Sequence, residues 1–399
     1  MKGRVLLVLC LLFCLCGCSD GLELDDSAHV LSIAVDKGEE KDYRFTFQMP
    51  VLMGSEGTVG GEGARFRSIS LEAENIMDAF ESANHADARY MNFAHLNFFA
   101  VSEELARAGE MPELIASCAY FAELRDGAMV VVTEGKAEDF LKGFENEKES
   151  NLERLQENLI SGAQTSAIIP DTTVADLMEY FTDGRGDAVV ALGGVNEGAS
   201  EGGGQEEGAP ALAQNAMDDE IGETERSGGL GSELRGCALF SGGTMKGSFG
   251  AGDTRFLLML RGEFQQMRYV LSDPANKDTL TLNVTRDGEP EITFEGEKPT
   301  ITVRLRARVV DQSTFMDPDA PHVYEEIHTA AYNALYGQLV KVSDDVMALG
   351  ADGWNLGRRL SLGKILWKNH GEEGLDRMPK KGVEVRLSMR LLKQDPYRR

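Results

Sequence analysis

The first half of the chain alternates between two spacings of apolar residues. Residues 43–49 are apolar at every second position, which is typical of a strand with one buried face. Residues 72–84 place apolar side chains three or four positions apart, which is typical of a helix with one buried face. Residues 128–133 are apolar almost throughout, as in a central strand covered on both sides. The alternation predicts mixed sheets flanked by helices over residues 28–192.

The second half of the chain has a different order of patterns. Residues 280–284, 301–307 and 383–391 are apolar at every second position, which predicts an antiparallel sheet with one solvent-facing side. Residues 322–349 instead repeat apolar side chains at helical spacing, and Gly350 follows as a residue suited to ending a helix. We therefore expect one long helix packed on that sheet. The predicted fold class is α+β, or mixed α/β.

Composition changes abruptly between these halves. Residues 193–229 consist mainly of Gly, Ala, Ser and acidic residues, and Arg226 is their only basic residue. So few large apolar side chains cannot bury enough surface to offset the entropy of ordering the segment. We predict a disordered linker here, between a folded region at 28–192, subdivided near 145, and a C-terminal domain at 230–395.

The N-terminus has the form of a secretory signal. Lys2 and Arg4 precede an apolar run of 12 residues at 5–16. A helix needs about 20 apolar residues to span a bilayer, whereas the apolar region of a signal has roughly 7–15. We therefore predict that residues 1–17 are a signal peptide. An uncleaved anchor and an ordinary cysteine-rich signal are the alternative interpretations.

The end of this stretch, Leu15-Cys16-Gly17-Cys18, resembles a bacterial lipobox. In such signals the cysteine thiol receives a diacylglyceryl group, and a peptidase then cuts before the cysteine. A thiol suits this chemistry because its thiolate is accessible near neutral pH. Two acyl chains on one residue suffice for stable anchoring in a membrane. We predict Cys18 as the lipidation site and residues 18–27 as a polar tether.

The strongly negative net charge of the chain disfavours anionic binding partners. The chain has 66 acidic and 40 basic residues, for a formal net charge of −26. Nucleic-acid phosphates would repel such a chain, so we predict no nucleic-acid partner. Anionic lipid headgroups would repel it too, so we expect attachment to a membrane to depend on the acyl anchor.

The sequence offers few residues in catalytic or metal-binding arrangements. It contains neither HExxH nor GxxxxGK[ST], and its six histidines are scattered. His322 and His328 are six residues apart, which is not the i, i+4 spacing of a zinc site on a helix. We interpret His95 as a structural residue that makes a hydrogen bond. We predict no enzyme activity, no catalytic residue, no metal and no cofactor.

Two cysteines and two tryptophans each have a structural and a functional interpretation. Cys118 lies in an apolar helical pattern and Cys237 beside apolar residues, so buried free thiols are favoured over a disulfide. Trp354 and Trp367, the only tryptophans, both follow the long helical pattern. We favour core packing for them over exposed anchors for a partner protein.

An ordered series of short motifs extends along the chain, at residues 18–24, 31–37, 45–48, 94–96, 101–106, 236–247 and 351–357, with Trp367 after them. The motif at 351–357, ADGWNLG, follows the long helical pattern. The series resembles the Ger(x)C family, the C subunits of spore germination receptors. Each motif is short, but their order and spacing extend over nearly the whole chain outside the acidic segment.

The resemblance implies a lipoprotein without enzyme activity, located on the outer face of a spore's inner membrane. It implies integral-membrane A and B subunits as partners, in a receptor complex through which nutrients trigger germination. It also implies three small domains of mixed α/β character. Two features depart from the family pattern, because Ser19 replaces the usual tryptophan and the acidic segment at 193–229 is unusually long.

Two further hypotheses come from other functional classes. A substrate-binding lipoprotein of a transporter would need two similar lobes around a deep cleft, and residues 193–229 do separate two halves. The patterns of these halves differ, however, since one alternates strands with helices and the other is mainly sheet and one helix. A cell-wall enzyme would need clustered acidic residues or a metal site in a pocket.

Overall fold

The structure, a computed structural model, describes most of the chain after its first 26 residues. The described ranges are 27–50, 66–87, 89–144, 152–183, 186–196, 230–272, 278–295, 298–313, 317–362 and 382–393. They form two large sheets and the helices packed on them, which confirms the predicted α+β class. No helix within these ranges is both long and apolar enough to cross a membrane.

The first sheet has eight strands. In chain order they are β2 (Ser32–Lys37), β3 (Tyr43–Pro50), β4 (Phe66–Ala73), β6 (Phe98–Ser102), β7 (Met129–Thr133), β8 (Val189–Val195), β9 (Ser232–Ser241) and β10 (Thr244–Gly250). Across the sheet their order is β10-β9-β8-β7-β6-β2-β3-β4. The central strands run parallel and the outer pairs are antiparallel. Beside this sheet, β1 (Ser27–His29) pairs with β5 (Tyr90–Asn92).

Helices cover both faces of the first sheet because its central strands are apolar on both sides. All five residues of β7 are buried, which confirms the predicted central strand. One face carries α1 (Ile76–Ala86), α2 (Glu103–Ala108), α3 (Met111–Ala119) and α6 (Val174–Asp183). The other face carries α4 (Ala137–Lys142) and α5 (Leu152–Thr165).

The second sheet is built from the last third of the chain. Its strands are β11 (Gln266–Ser272), β12 (Thr279–Arg286), β13 (Glu291–Glu295), β14 (Lys298–Gln312) and β15 (Glu384–Leu392). Its inner face packs against α7 (Ala251–Arg261) and the long helix α8 (Pro321–Leu349). The helix predicted at 322–349 is therefore confirmed. Its buried side chains recur at helical spacing, among them Val323, Ile327 and Leu335.

The second sheet is antiparallel through β11, β12, β14 and β13, as predicted. The last strand differs from the expectation, because β15 pairs with β14 in parallel. Between these two strands the chain passes through α8 and a second helix, α9 (Leu356–Leu362). A connection of this length lets the chain return to the same end of the sheet, as parallel pairing requires.

The predicted start of the acidic linker is incorrect. Residue 193 was its expected first residue, yet β8 continues to Val195. A Cβ atom at Gly193 would lie 2.8 Å from the Phe140 side chain, so this glycine serves close packing rather than flexibility. Residues 197–229 and the predicted subdivision near 145 lie outside the described residues.

Residues 232–250 also differ from the expectation, because they join the first sheet rather than the second. β9 pairs with β8, and β10 pairs with β9. The physical reason lies in β9, which is apolar on both faces. Ala238 and Phe240 pack in the core of the first sheet, whereas Cys237 and Leu239 pack in the core of the second sheet. One strand thus separates the two cores.

We expect Gly236→Ala to destabilise the fold more than Gly242→Ala. Gly236 has φ 154°, and a Cβ atom there would lie 2.0 Å from the carbonyl oxygen of Phe249 on the paired strand. Strain and displacement of a backbone neighbour should lower the free energy of unfolding by roughly 3 kcal/mol or more. Gly242 also has a positive φ, of 59°, but no atom within 4 Å of its Cβ position. Gly242→Ala should lower the free energy of unfolding by about 1 kcal/mol. Equal losses for the two variants, measured by urea denaturation, would contradict this expectation.

Candidate functional site

The predicted lipidation site, Cys18, lies outside the described residues, as does Trp367. Lipidation of Cys18 therefore stays a prediction. Trp354 is described, and its side chain is fully buried in the core of the second sheet. This placement agrees with the packing interpretation of Trp354.

The two cysteines of the folded region are buried free thiols. Cys118 lies in the core of the first sheet and Cys237 in the core of the second. Burial raises the pKa of each thiol to about 12. Both thiols are therefore protonated and unreactive at neutral pH, as the sequence interpretation expects of packing residues.

The described histidines do not form a ligand set. Within the described ranges, no cluster of three His, Cys, Asp or Glu side chains is arranged to hold a metal ion. His95 Nδ1 lies 2.7 Å from Glu153 Oε1, and its ring meets that of His29 edge to face at 5.5 Å. Burial, and then the nearby His95, lowers the pKa of His29. These contacts join β1 to α5.

The strongest convergence of polar groups in the described residues lies between the two sheets. We call this group the polar junction. It contains two acids, one arginine, one tyrosine and one asparagine: Tyr180, Asp187, Arg261, Asp352 and Asn355. The last two belong to the ADGWNLG motif that follows the long helix.

Asp352 connects the motif to both halves of the chain. Its side chain is fully buried, and its two carboxylate oxygens accept hydrogen bonds from the N–H groups of Leu356 and Gly357 at 2.8 and 2.7 Å. These bonds satisfy donors at the start of α9. The N–H of Asp352 donates to Asp187 Oδ2 at 2.8 Å, although the two residues are 165 positions apart. One buried aspartate thus links α9 to the loop before β8.

Arg261, the last residue of α7, is the cation of the polar junction. Its guanidinium donates to the Glu263 carboxylate at 2.9 Å, the Gly353 carbonyl at 3.0 Å and the Tyr180 hydroxyl at 3.2 Å. Burial acts to lower the pKa of Arg261, but Glu263 and Tyr180 outweigh it and raise the pKa. The arginine is therefore charged and fully engaged, and Asn355 adds a bond to the same Tyr180 hydroxyl at 3.3 Å.

The geometry of the polar junction suits a structural connection. Asn355 Oδ1 is buried without a hydrogen-bond partner among the described residues, but the side chains of Tyr180, Arg261 and Asp352 hydrogen-bond to groups within the fold. A surface depression near α7, lined by Met259, Phe264 and Pro290 among others, has a volume of only ≈ 180 Å³. Pockets that hold small ligands usually measure roughly 300–1,000 Å³. The hydrogen bonds of the junction connect α6 and the loop before β8 with α7 and the segment after α8.

The sequence alone did not identify this network. The motif at 351–357 was recognised only as a family resemblance, and Arg261 and Tyr180 were not singled out. One local signal was present, because Asp352 lies four residues before the start of α9 and accepts a hydrogen bond from its first N–H group. Asn355, just before the helix, adopts a positive φ of 59°, which asparagine tolerates better than most residues. The partners Tyr180 and Asp187 lie too far away in sequence for local spacing to reveal them.

We expect Asp352→Asn to remove part of the pH dependence of stability. Burial raises the pKa of Asp352 from 3.8 to about 7, against the opposing effect of the Gly357 and Leu356 N–H groups. Between these pH values the folded chain holds a proton that the unfolded chain has lost, so the free energy of unfolding falls as pH rises. The fall should reach up to about 4 kcal/mol in the wild type and be absent from the variant.

Urea denaturation of both proteins across this pH range measures the effect. The free energy of unfolding of the wild type minus that of the variant should fall by up to about 4 kcal/mol as pH rises from the acidic end towards neutrality. A difference that stays constant with pH would contradict the expectation.

Two protein-family models match the chain in succession. The model described as "Spore germination protein N-terminal domain" matches residues 20–194. The model described as "Spore germination B3/ GerAC like, C-terminal" matches residues 235–390. Together they cover well over half of the chain, on both sides of the acidic segment.

Individual relatives agree with these models. Spore germination protein KC of Bacillus subtilis (strain 168) is 29% identical over 131 residues, which are 32% of this chain and 32% of that protein. Spore germination protein B3 of the same organism is 24% identical over 140 residues, which are 35% of this chain and 37% of that protein. The matched stretches thus span less than half the length of these relatives.

The fold is shared with a solved protein. The crystal structure of the GerBC protein matches with a TM-score of 0.51, over 90% of this chain and 97% of that chain, at 13% sequence identity. This likeness concerns the fold. Together with the two successive family models, it confirms the resemblance inferred from the sequence motifs, and the chain belongs to the Ger(x)C family of spore germination proteins.

Proposed function

We propose that the protein is a membrane-anchored lipoprotein subunit of a spore germinant receptor. The observation that carries the proposal is the succession of two spore-germination family models over residues 20–194 and 235–390. The lipobox-like end of the signal, at residues 15–18, supports an acyl anchor on Cys18. The protein would lie on the outer face of the spore's inner membrane.

The subunit would act by contact with other proteins rather than by catalysis. Integral-membrane A and B subunits are the proposed partners, in a complex that responds to nutrients. The polar junction supports this proposal, because its buried charged side chains are hydrogen-bonded to groups of the fold itself. A network of this kind holds surfaces in fixed relative positions, which recognition by another protein requires.

The structure favours neither competing hypothesis. A transporter's substrate-binding protein would have two similar lobes, one on each side of the acidic segment. Instead β8 and β9, which lie on either side of that segment, are neighbours in one sheet. A cell-wall enzyme would need a metal site or clustered acids in a pocket, and the described residues contain no group of three potential metal ligands.

We expect Cys18→Ala to abolish lipid attachment and germination through this receptor. Alanine has no thiol to acylate, and without acyl chains the chain lacks its stable hold on the membrane. The measurements are incorporation of labelled palmitate, distribution between membrane and soluble fractions of spores, and loss of refractility after nutrient addition. In the variant, palmitate should not be incorporated, the protein should be found in the soluble fraction, and the spores should stay refractile after nutrient addition.

Cys14→Ala is the matched control, because it removes a neighbouring cysteine that lies outside the four lipobox positions. It should keep the palmitate label and germinate normally. If the Cys18→Ala protein stays in the membrane fraction and its spores germinate as the wild type does, the proposal of an anchored subunit is wrong.

A further inference from the structure

The outer face of the second sheet has an unusual distribution of charge for this chain. α8 covers the inner face, where side chains such as Leu305 and Ala307 of β14 are buried. Because successive side chains on a strand point to opposite faces, the intervening residues of β14 and its neighbours face away from α8. Those outward positions are rich in arginine.

We call this surface the arginine face. It comprises the outward arginines of three strands: Arg268 on β11, Arg304, Arg306 and Arg308 on β14, and Arg386 and Arg390 on β15. The strand register makes them neighbours. Arg306 is directly opposite Arg390, Arg308 is opposite Leu392, and Arg308 and Arg268 both flank Asn283 of the strand between them.

Acidic side chains engage only part of this surface. Three of the arginines form ion pairs within the described residues: Arg304 with Glu291, Arg306 with Asp287 at 3.3 Å, and Arg386 with Glu384 at 2.7 Å. One more carboxylate, Asp311, is exposed near the end of β14. Among the described side chains of this surface, six arginines thus accompany four carboxylates, and these groups sum to a net positive charge.

The other three arginines are free in the described part of the chain. Arg268, Arg308 and Arg390 make no ion pair or hydrogen bond to another described residue, and Arg268 and Arg390 are exposed. Two aliphatic side chains, Val270 and Val310, are exposed on the same sheet, at 48% and 50%. Free guanidinium groups beside exposed aliphatic groups are typical of surfaces that contact the interfacial region of a membrane.

The overall charge of −26 does not prevent such a contact. Charges are screened over about 8–10 Å at physiological ionic strength. A ligand at the arginine face therefore experiences mainly the local guanidinium groups rather than acids elsewhere on the molecule. The repulsion expected from net charge alone does not apply to this face.

We propose that the arginine face binds the anionic headgroups of a lipid bilayer. Guanidinium groups form paired hydrogen bonds with phosphate oxygens, and they are less strongly hydrated than ammonium groups. The sheet presents them in two dimensions, at about 4.8 Å between strands and about 7 Å along each strand. A headgroup layer extends in two dimensions, whereas an extended acidic peptide would meet only one row.

This contact is distinct from the proposed anchor on Cys18. An acyl anchor on Cys18 would attach the chain at a single point, nine residues before β1 begins at Ser27, and one point of attachment does not specify an orientation. Binding through the arginine face would fix that orientation, with α8 on the side of the sheet away from the lipid. The contact also requires no acylation, so each proposal can fail without the other.

The test uses the full chain with Cys18→Ser, which cannot be acylated at that position. Co-sedimentation with vesicles of phosphatidylcholine alone measures any binding by the N-terminal apolar run. Vesicles that also contain phosphatidylglycerol should bind the chain more tightly, and added salt should weaken this extra binding. Replacing Arg268, Arg308 and Arg390 by Gln should reduce it by roughly fivefold for each arginine, or on the order of a hundredfold together.

The control replaces three other exposed cations, Arg125, Lys136 and Lys246, by Gln. It changes net charge equally but leaves the arginine face intact, so binding to the anionic vesicles should be retained. Circular dichroism and thermal unfolding check that both triple variants are folded.

Three outcomes would overturn the proposal. One is that the Cys18→Ser chain binds anionic vesicles equally tightly with and without the three arginine replacements. Another is that the arginine variant and the control variant lose binding to the same extent. The third is binding of the chain to a polyglutamate peptide but not to anionic vesicles, which would assign the face to an acidic protein partner.

Discussion

The antiparallel pairing of β8 with β9 is the constraint on which the rest of the architecture depends. β8 ends the first half of the chain and β9 begins the second, with Val189 opposite Leu239 and Val195 opposite Ser232. Because β9 is buried on both faces, a slip of one residue would exchange the side chains that belong to the two cores. The pairing therefore decides both the continuity of the first sheet and the position of everything that follows β10.

The polar junction reinforces the same boundary by different means. Apolar packing tolerates small shifts, but the Arg261 guanidinium and the Asp352 carboxylate satisfy their partners in only one arrangement. Removing one member of such a group leaves a buried charge without compensation, at a cost of about 3–5 kcal/mol. For a protein that works through contact, this specificity of arrangement matters more than the net energy of the network.

Sequence patterns predicted elements whose burial repeats locally. The long helix was predictable because Val323, Ile327 and Leu335 recur over many turns, and β7 because its apolar run is uninterrupted. Non-local relations were not predictable: the sheet to which β9 belongs, or the bond between Asp187 and Asp352. The alternating arginines of β14 are visible in the sequence, but only the contacts in the folded chain show which of them have an acidic partner.

The two ends of the acidic insertion meet at one point of the fold. The N–H of Asn196 donates to the Gly231 carbonyl at 2.9 Å, and its side chain donates to the Leu230 carbonyl at 3.2 Å. The entropy of closing a loop rises only slowly with its length, so segments of very different size can join these ends without disturbing the sheet. This position is accordingly where evolution can lengthen the chain at little structural cost, and where a fluorescent domain could be inserted to follow the protein in spores.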